Sequence, residues 1–256
     1  MMAALAAGCV GPGAVAMDLG AETAVLGCGE MPLVDLLGEL SGYCDACGGW
    51  LGMAVTQSTA VAPEVVRRHY GWSPDRFEEM ADQVPPGADG LMMLPYVSGE
   101  RTPRLRDGTG VLHGITPDNF TAGHLARATI EGVALGLAYA LSRLRDLGLD
   151  PAEIRLTGAT AGCGRLTRQI LADATGLPVV TLAPKLDAAA GAAMHATVAY
   201  FRANGESLGF GEIARYLVTA GGEPPTRPDP QRQPLYQNLL SRQQYLVETL
   251  YSAGFL

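Results

Sequence analysis

The chain has 256 residues, 48% of them hydrophobic and 17% charged, the balance of a soluble globular protein long enough for one large domain or two small ones. A formal charge of -8 with no Lys/Arg run argues against a nucleic-acid partner, because nothing stands ready to neutralise a phosphate backbone. Five cysteines, scattered as Cys9, Cys28, Cys44, Cys47 and Cys163, are too few and too dispersed for a disulfide scaffold and point to a reducing cytoplasm.

The first residues are small and apolar. Leu5-Ala6-Ala7-Gly8-Cys9 imitates a lipoprotein cleavage site and Ala14-Val15-Ala16 a signal-peptidase site, but no basic residue precedes either, so neither reads as an export signal. No later stretch approaches the roughly 18 apolar residues of a membrane span. Residues 14–19 and 23–28 read as two strands around a tight Gly20-Ala21-Glu22 turn, a hairpin by spacing. Cys44-Asp45-Ala46-Cys47 has the spacing of zinc and redox sites, yet neither a second ligand pair nor a βαβ pattern accompanies it, and no metal site is assigned. Trp50 to Thr56 continues as a strand. A helix then begins at Ser58 or Thr59, with Pro63 expected in its first turn, where a missing N–H costs little. A second short helix over 73–84 stops at Pro85-Pro86-Gly87.

Gly90 to Tyr96 is an apolar strand, followed by the loop Ser98-Gly99-Glu100-Arg101-Thr102-Pro103. Glu100 and Arg101 read either as a surface ion pair worth under about 1 kcal/mol or as part of a loop bordering a cleft. Gly110 to Ile115 alternates like a short strand, Thr116 to Asn119 breaks it, and Thr121 offers the N-cap of a long helix. In that helix Ile130, Val133, Leu137, Leu141 and Leu144 keep one stripe toward a core. Ala128, Gly132, Gly136 and Ala140 repeat every fourth residue, so a second backbone can approach this face despite the ~1 kcal/mol each glycine costs a helix.

Residues 154–157 form a strand entering Gly158-Ala159-Thr160-Ala161-Gly162-Cys163-Gly164, and 166–174 a helix with Leu166, Ile170 and Ala174 inward. Strand, small-residue turn and helix make a cradle whose backbone amides can approach a nucleotide, although the string is neither a Walker A loop nor a GxGxxG fingerprint. A strand at 179–182, a small-residue helix from Asp187, a Pro-rich linker over 224–234 and a last helix carrying Leu235, Leu239, Leu246 and Leu250 complete the chain. The four histidines are unclustered, and no His/Asp/Ser or Cys/His constellation emerges.

Several of these strings carry a resemblance. The glycine-bearing strand at 110–115 followed by a helix opening His124-Leu125-x-x-Ala128-x-x-Glu131 resembles the second signature of the FGGY carbohydrate kinases. Leu94-Pro95-Tyr96-x-x-Gly99-Glu100-Arg101-Thr102-Pro103 is similar to the xylulokinase-like branch of that family, Arg168-Gln169-x-x-Ala172-Asp173 to the end of its adenosine motif, and Asp187 to Ala193 to its small-residue helix. The resemblance implies an α/β fold, an actin-like ATPase (ribonuclease H-like) domain with a mixed sheet flanked by helices. It implies ATP-dependent phosphorylation of a ketopentose such as xylulose, with ATP and a Mg²⁺ held through the nucleotide as cofactors. The expected nucleotide contacts are Gly20, Ala21, Gly158, Ala159, Thr160 and Gly162, with Glu100 and Arg101 on a cleft loop and the amides at the start of the helix near Ser58 close to the phosphates.

The same resemblance divides the chain into 1–13, the tail of an amino-terminal kinase domain; 14–223, the carboxy-terminal nucleotide-binding domain; and 224–256, a linker and helix. The family's general base is the aspartate of a Gly-Gly-Asp-Asn motif that would lie immediately before Met1. The chain is therefore expected to hold no catalytic residue, to be inactive alone, and to need an amino-terminal kinase domain, a small sugar and ATP as partners, with homodimers forming through any uncovered apolar interface. Where the family has a hydroxyl-bearing turn, Glu22 sets a carboxylate toward the phosphates, a repulsion of roughly 3 kcal/mol at ~6 Å and an effective dielectric of ~20. Two alternatives stand beside this reading: a degenerate domain kept for binding or assembly, and a subunit that docks on a separately encoded amino-terminal half.

Overall fold

The computed structural model describes residues 1–20, 22–158, 163–183, 187–221 and 223–256. A short helix, α1 (Met2–Ala6), precedes the hairpin of β1 (Ala14–Leu19) and β2 (Thr23–Gly29), paired from Val15 opposite Gly27 to Leu19 opposite Thr23. A second hairpin, β3 (Leu40–Cys44) and β4 (Trp50–Thr56), adds antiparallel to β2. On the far side of β1, β7 (Glu153–Gly158) and β8 (Val179–Thr181) pair in parallel, giving a six-stranded mixed sheet in the order β3-β4-β2-β1-β7-β8. Tyr43 and Cys44 end the edge strand β3. After Leu40 that strand is largely open to solvent, so it carries no apolar alternation for a sequence reading to find.

The period-two rule sorts the central strands between two layers. Val15, Met17 and Val25 face the layer of α2 (Ser58–His69), α4 (Ala122–Asp146) and α5 (Arg165–Thr175), while Ala14, Ala16, Leu26 and Cys28 face α1. Outside the first layer lie α3 (Pro74–Asp82) and α8 (Gln233–Ser252); behind α1 lie α6 (Ala188–Ala203) and α7 (Phe210–Leu217). A two-stranded ribbon of β5 (Met92–Leu94) and β6 (Val111–His113) lies beside α4, shorter than the strand expected over 90–96.

Helix α4 is the spine of the domain. Thr121 caps it, and Ile130, Val133, Leu137, Leu141 and Leu144 are all buried, as their spacing predicts. So are Arg127 and Glu131, one turn apart and joined at 2.7 Å, with the Tyr236 hydroxyl accepting from Arg127 and donating to Glu131 at 3.0 Å each. The Gly87 amide also donates to Glu131, so this buried charge pair has its partners. The glycine repeat divides in two. A Cβ on Gly132 would stand 2.3 Å from the Met93 carbonyl oxygen, whereas one on Gly136 would meet nothing within 4 Å, so the close backbone approach is confined to Gly132. Two other expectations are corrected. Pro63 lies inside α2, not in its first turn, and α8 turns Tyr236, Leu239, Gln243 and Val247 to the core while Leu235 is 36% exposed. Among the described residues no helix is long and apolar enough to cross a membrane.

Candidate functional site

Three chain segments leave the sheet along one edge. β1 and β7 run parallel, and β4 runs the same way because each is antiparallel or parallel to its neighbours in turn, so their carboxyl ends coincide. The registers set Thr56, Thr23, Leu19 and Gly158 in a single row. Beyond that row lie the turn after β1, the start of α2 and the approach to α5. In open α/β sheets this is the edge at which ligands bind.

Under the edge, between α2, α3, α4 and α5, is a cavity of about 420 Å³, within the range of small-molecule pockets. Its floor and back wall are apolar: Leu19, Ile130, Val133, Ala134, Leu137 and Leu171, with Phe77 from α3. Gly20 and Thr23 line it from the hairpin, Thr59 and Pro63 from α2, and Cys163, Gly164 and Thr167 from the start of α5. Of the expected nucleotide contacts, Gly20 is on the wall and Gly158 ends β7 beside Leu19; Ala21, Ala159, Thr160 and Gly162 fall outside the described residues. Burial pushes the Cys163 thiol up to about 12, which leaves it a neutral wall residue and not a nucleophile.

Charge is distributed unevenly around this cavity. Among the described residues Glu64, Asp75 and Glu78 line it, against one cation, Arg67. That guanidinium donates from Nε to Glu64 at 3.0 Å and from Nη1 to the Trp72 carbonyl at 2.6 Å, so it is engaged within the protein. The Glu78 carboxylate accepts from the Thr167 amide at 2.9 Å and its hydroxyl at 3.0 Å, capping the first turn of α5. It lies so close over Gly164 that a Cβ there would overlap it, 1.8 Å from Oε2. Thr23 has no solvent exposure, and its hydroxyl oxygen has no hydrogen-bond partner.

The cleft-loop pair separates into two different roles. Glu100 is 4% exposed and does not pair with the Arg101 guanidinium. Its carboxylate accepts from the amides of Gln57 at 2.8 Å, Ser58 at 3.1 Å and Arg101 at 2.8 Å and from the Ser58 hydroxyl at 2.6 Å. The amides at the start of α2, expected to be open to a phosphate, are thus filled by the protein's own carboxylate. The guanidinium of Arg101 instead reaches to 4.0 Å from Glu22, which also accepts from Gln57 Nε2 at 3.2 Å. Glu22 is therefore exposed with a cation beside it. One residue before Leu19 in β1 is Asp18, whose carboxyl is raised above its usual range chiefly by burial.

The string ending in Asp173 has a structural task. Asp173 Oδ1 accepts from Gln169 Nε2 at 2.8 Å and from the Asp229 amide at 2.7 Å, tying the segment before α8 to α5. At the CxxC spacing, Cys44 is exposed and Cys47 half-buried, both as free thiols, and burial pushes Cys47 up to about 11. Sequence reasoning missed Thr23 and Glu78. The hydroxyl directly after the hairpin turn was a usable signal for Thr23, whereas Glu78 reaches a partner 89 positions away and left no local mark.

The layered mixed sheet with a ligand-sized cavity at its strand ends is a ligand-binding type of α/β architecture. Residues 40–200 match the FGGY family of carbohydrate kinases, C-terminal domain, and the chain belongs to that family. It is 31% identical over 206 residues to a xylulose kinase of Haemophilus influenzae, covering 80% of this chain and 41% of the relative. Among solved structures it superposes on a ligand-bound xylulose kinase from Lactobacillus acidophilus with a TM-score of 0.87 at 23% identity, over 98% of this chain and 50% of that one. A Plasmodium falciparum glycerol kinase with ADP gives a TM-score of 0.80 at 15% identity, over 97% and 49%. The fold is the actin-like ATPase fold of these sugar kinases, and the chain spans about half the length of the proteins it matches.

Proposed function

We propose that this chain is the nucleotide-holding half of an ATP-dependent sugar kinase of the xylulokinase type, acting on a ketopentose hydroxyl. The observation that carries the reading is the row Thr56, Thr23, Leu19 and Gly158, which brings the turn at Gly20 and the start of α5 to the mouth of one apolar cavity. The cavity has the volume and the apolar walls for a nucleoside. On this reading Gly20, Gly158 and the 159–162 segment hold the nucleotide, and its Mg²⁺ rides on the phosphates, where it would neutralise charge during phosphoryl transfer. Among the described residues no three acidic, histidine or cysteine side chains cluster to hold a metal by themselves.

The general base and the sugar contacts are assigned to an amino-terminal kinase domain outside these residues. The start of α1 lies against α6, where a Cβ on Gly191 would stand 1.9 Å from the Met2 carbonyl oxygen. ADP release coupled to xylulose addition tests the division. The chain alone is expected to show no sugar-dependent turnover, and activity is expected once a complementary amino-terminal half is supplied. Turnover by the pure chain would overturn the assignment of the base. A second reading, a domain kept for binding and not for catalysis, is favoured by the carboxylate of Glu22 in the turn after β1; silence of the reconstituted pair with ATP, alongside retained nucleoside binding, would select it.

A further inference from the structure

The segment between β2 and β3 turns most of its apolar side chains into water. Leu33 and Leu40 are buried in the main core, but Met31, Val34, Leu36 and Leu37 are 63–93% exposed. Together these four present roughly 500 Å² of apolar surface, near the largest patch an ordinary monomer carries, and patches of that size mark contact sites.

The segment is held in one shape by a largely buried polar network. Asp35 Oδ1 accepts from the Leu37 amide at 3.2 Å, and Oδ2 from the amides of Glu39 at 2.7 Å and Leu40 at 2.8 Å. Arg143 of α4 donates to Asp35 at 2.9 Å and to Glu39 at 3.1 Å, and the Tyr139 hydroxyl donates to Glu39 at 2.8 Å. The apolar residues thus form a fixed knuckle, which loses little conformational freedom when something covers it.

Beside the knuckle the sheet ends. β3 is its outermost strand, and Leu40-Ser41-Gly42-Tyr43-Cys44 carries neither a charge nor a proline, the devices that keep edge strands from pairing with other chains. The Asp45 amide bonds to the Gly49 carbonyl at 3.0 Å, with Cys44 opposite Trp50. That phase points the backbone groups of Ser41 and Tyr43 toward β4 and turns those of Gly42 and Cys44 outward. The Leu40 amide also turns outward, onto Asp35.

We propose that the knuckle and the open edge of β3 are the surface through which two copies of this chain associate. Outward donors and acceptors on a strand edge are matched by another strand, and antiparallel pairing about Gly42 sets it against the partner's Gly42 and Cys44 against the partner's Leu40. The knuckle, tied to Leu40 through Asp35, then meets the end of the other strand, where Tyr43 and Cys44 are exposed. Two such patches and the paired edge bury a little over roughly 1,000 Å² in all, the lower end of a specific interface, so the dissociation constant is expected to be of micromolar order. The inference does not depend on the nucleotide reading.

Sedimentation velocity of the whole chain, at concentrations spanning the micromolar range, tests the association. Wild type is expected to pass from monomer to dimer. The double substitution Leu36→Asp and Leu37→Asp changes two side chains that stand in water, so its melting temperature as a monomer is expected to hold. Its association is expected to weaken on the order of 100-fold or more, because the interface would bury unpaired carboxylates. Tyr216→Asp, at an 82% exposed residue of α7 in the opposite layer, is expected to leave association unchanged. Hydrogen exchange reads the edge directly: the Gly42 and Cys44 amides are expected to be protected in concentrated wild type and to exchange freely in the double variant. A wild type that stays monomeric, a dimer that the double substitution leaves intact, or an equal effect from Tyr216→Asp would overturn the proposal. A monomeric wild type whose knuckle substitutions weaken binding to a complementary amino-terminal half would overturn it too, and assign the knuckle to that half. A dimer broken by the double substitution but without protection of Gly42 and Cys44 would overturn the strand pairing and support the knuckle contact.

Discussion

Replacing Glu100 by Gln tests whether the start of α2 depends on a buried carboxylate. Oε1 accepts the Gln57 and Arg101 amides, and a Gln carbonyl oxygen in its place keeps both. Oε2 accepts the Ser58 amide at 3.1 Å and the Ser58 hydroxyl at 2.6 Å. The hydroxyl can turn to accept from the new NH₂, but the Ser58 amide would face a donor and lose its partner. A buried amide left unsatisfied costs roughly 1–3 kcal/mol, and removing a negative charge from a helix N-terminus a further 0.3–1 or up to about 2 kcal/mol when partly buried. The expected destabilisation is therefore about 2–4 kcal/mol, or a fall in melting temperature of roughly 5–12 °C for a chain of this size. Urea unfolding followed by circular dichroism measures it, with Arg101→Ala as the control. That guanidinium is 57% exposed and 4.0 Å from Glu22, so its loss is expected to change stability by under about 0.5 kcal/mol. A change below about 1 kcal/mol for Glu100→Gln, or equal effects from the two substitutions, would refute the argument that one is a buried cap and the other a surface pair.

Gly136→Ala is expected to stabilise the domain by up to about 1 kcal/mol, because a Cβ there meets open space, whereas Gly132→Ala should destabilise it by more than that through the Met93 carbonyl; paired thermal melts that move the same way would contradict this. Burial pushes the Asp35 carboxyl up, but the amides of Leu40, Glu39 and Leu37 together with Arg143 outweigh it and hold the group below its ordinary 3.8. The unfolded chain then takes up that proton first, so the stabilisation is present above about 3.8 and is lost as pH falls through the lower folded value; wild type should lose stability more steeply below pH 4 than Asp35→Asn, and parallel urea midpoints would refute it. Glu22→Ser should tighten ATP by well under the roughly 3 kcal/mol of an unscreened charge, because Glu22 is half-exposed beside Arg101, and should leave adenosine unchanged; equal shifts for both ligands in calorimetry would mean that Glu22 does not face phosphates.

Local chemistry determined much of this protein from sequence alone. The 3.6-residue stripe and Thr121 cap placed α4, the Gly20 turn placed the β1–β2 hairpin, Asp187 placed the start of α6, and the strings around Glu100, His124 and Asp173 marked the family. Each of those signals is carried by residues within a few positions of one another. What only the tertiary structure decided depends on partners far apart in the chain. Glu100 caps a helix 42 positions away, Glu78 caps one 89 positions away, and Gly132 rather than Gly136 meets β5. α8 turns Tyr236 inward because a buried Arg127–Glu131 pair needs its hydroxyl. The cavity exists only once four helices close over the sheet edge, since an empty volume is a property of the packed assembly and of no single segment.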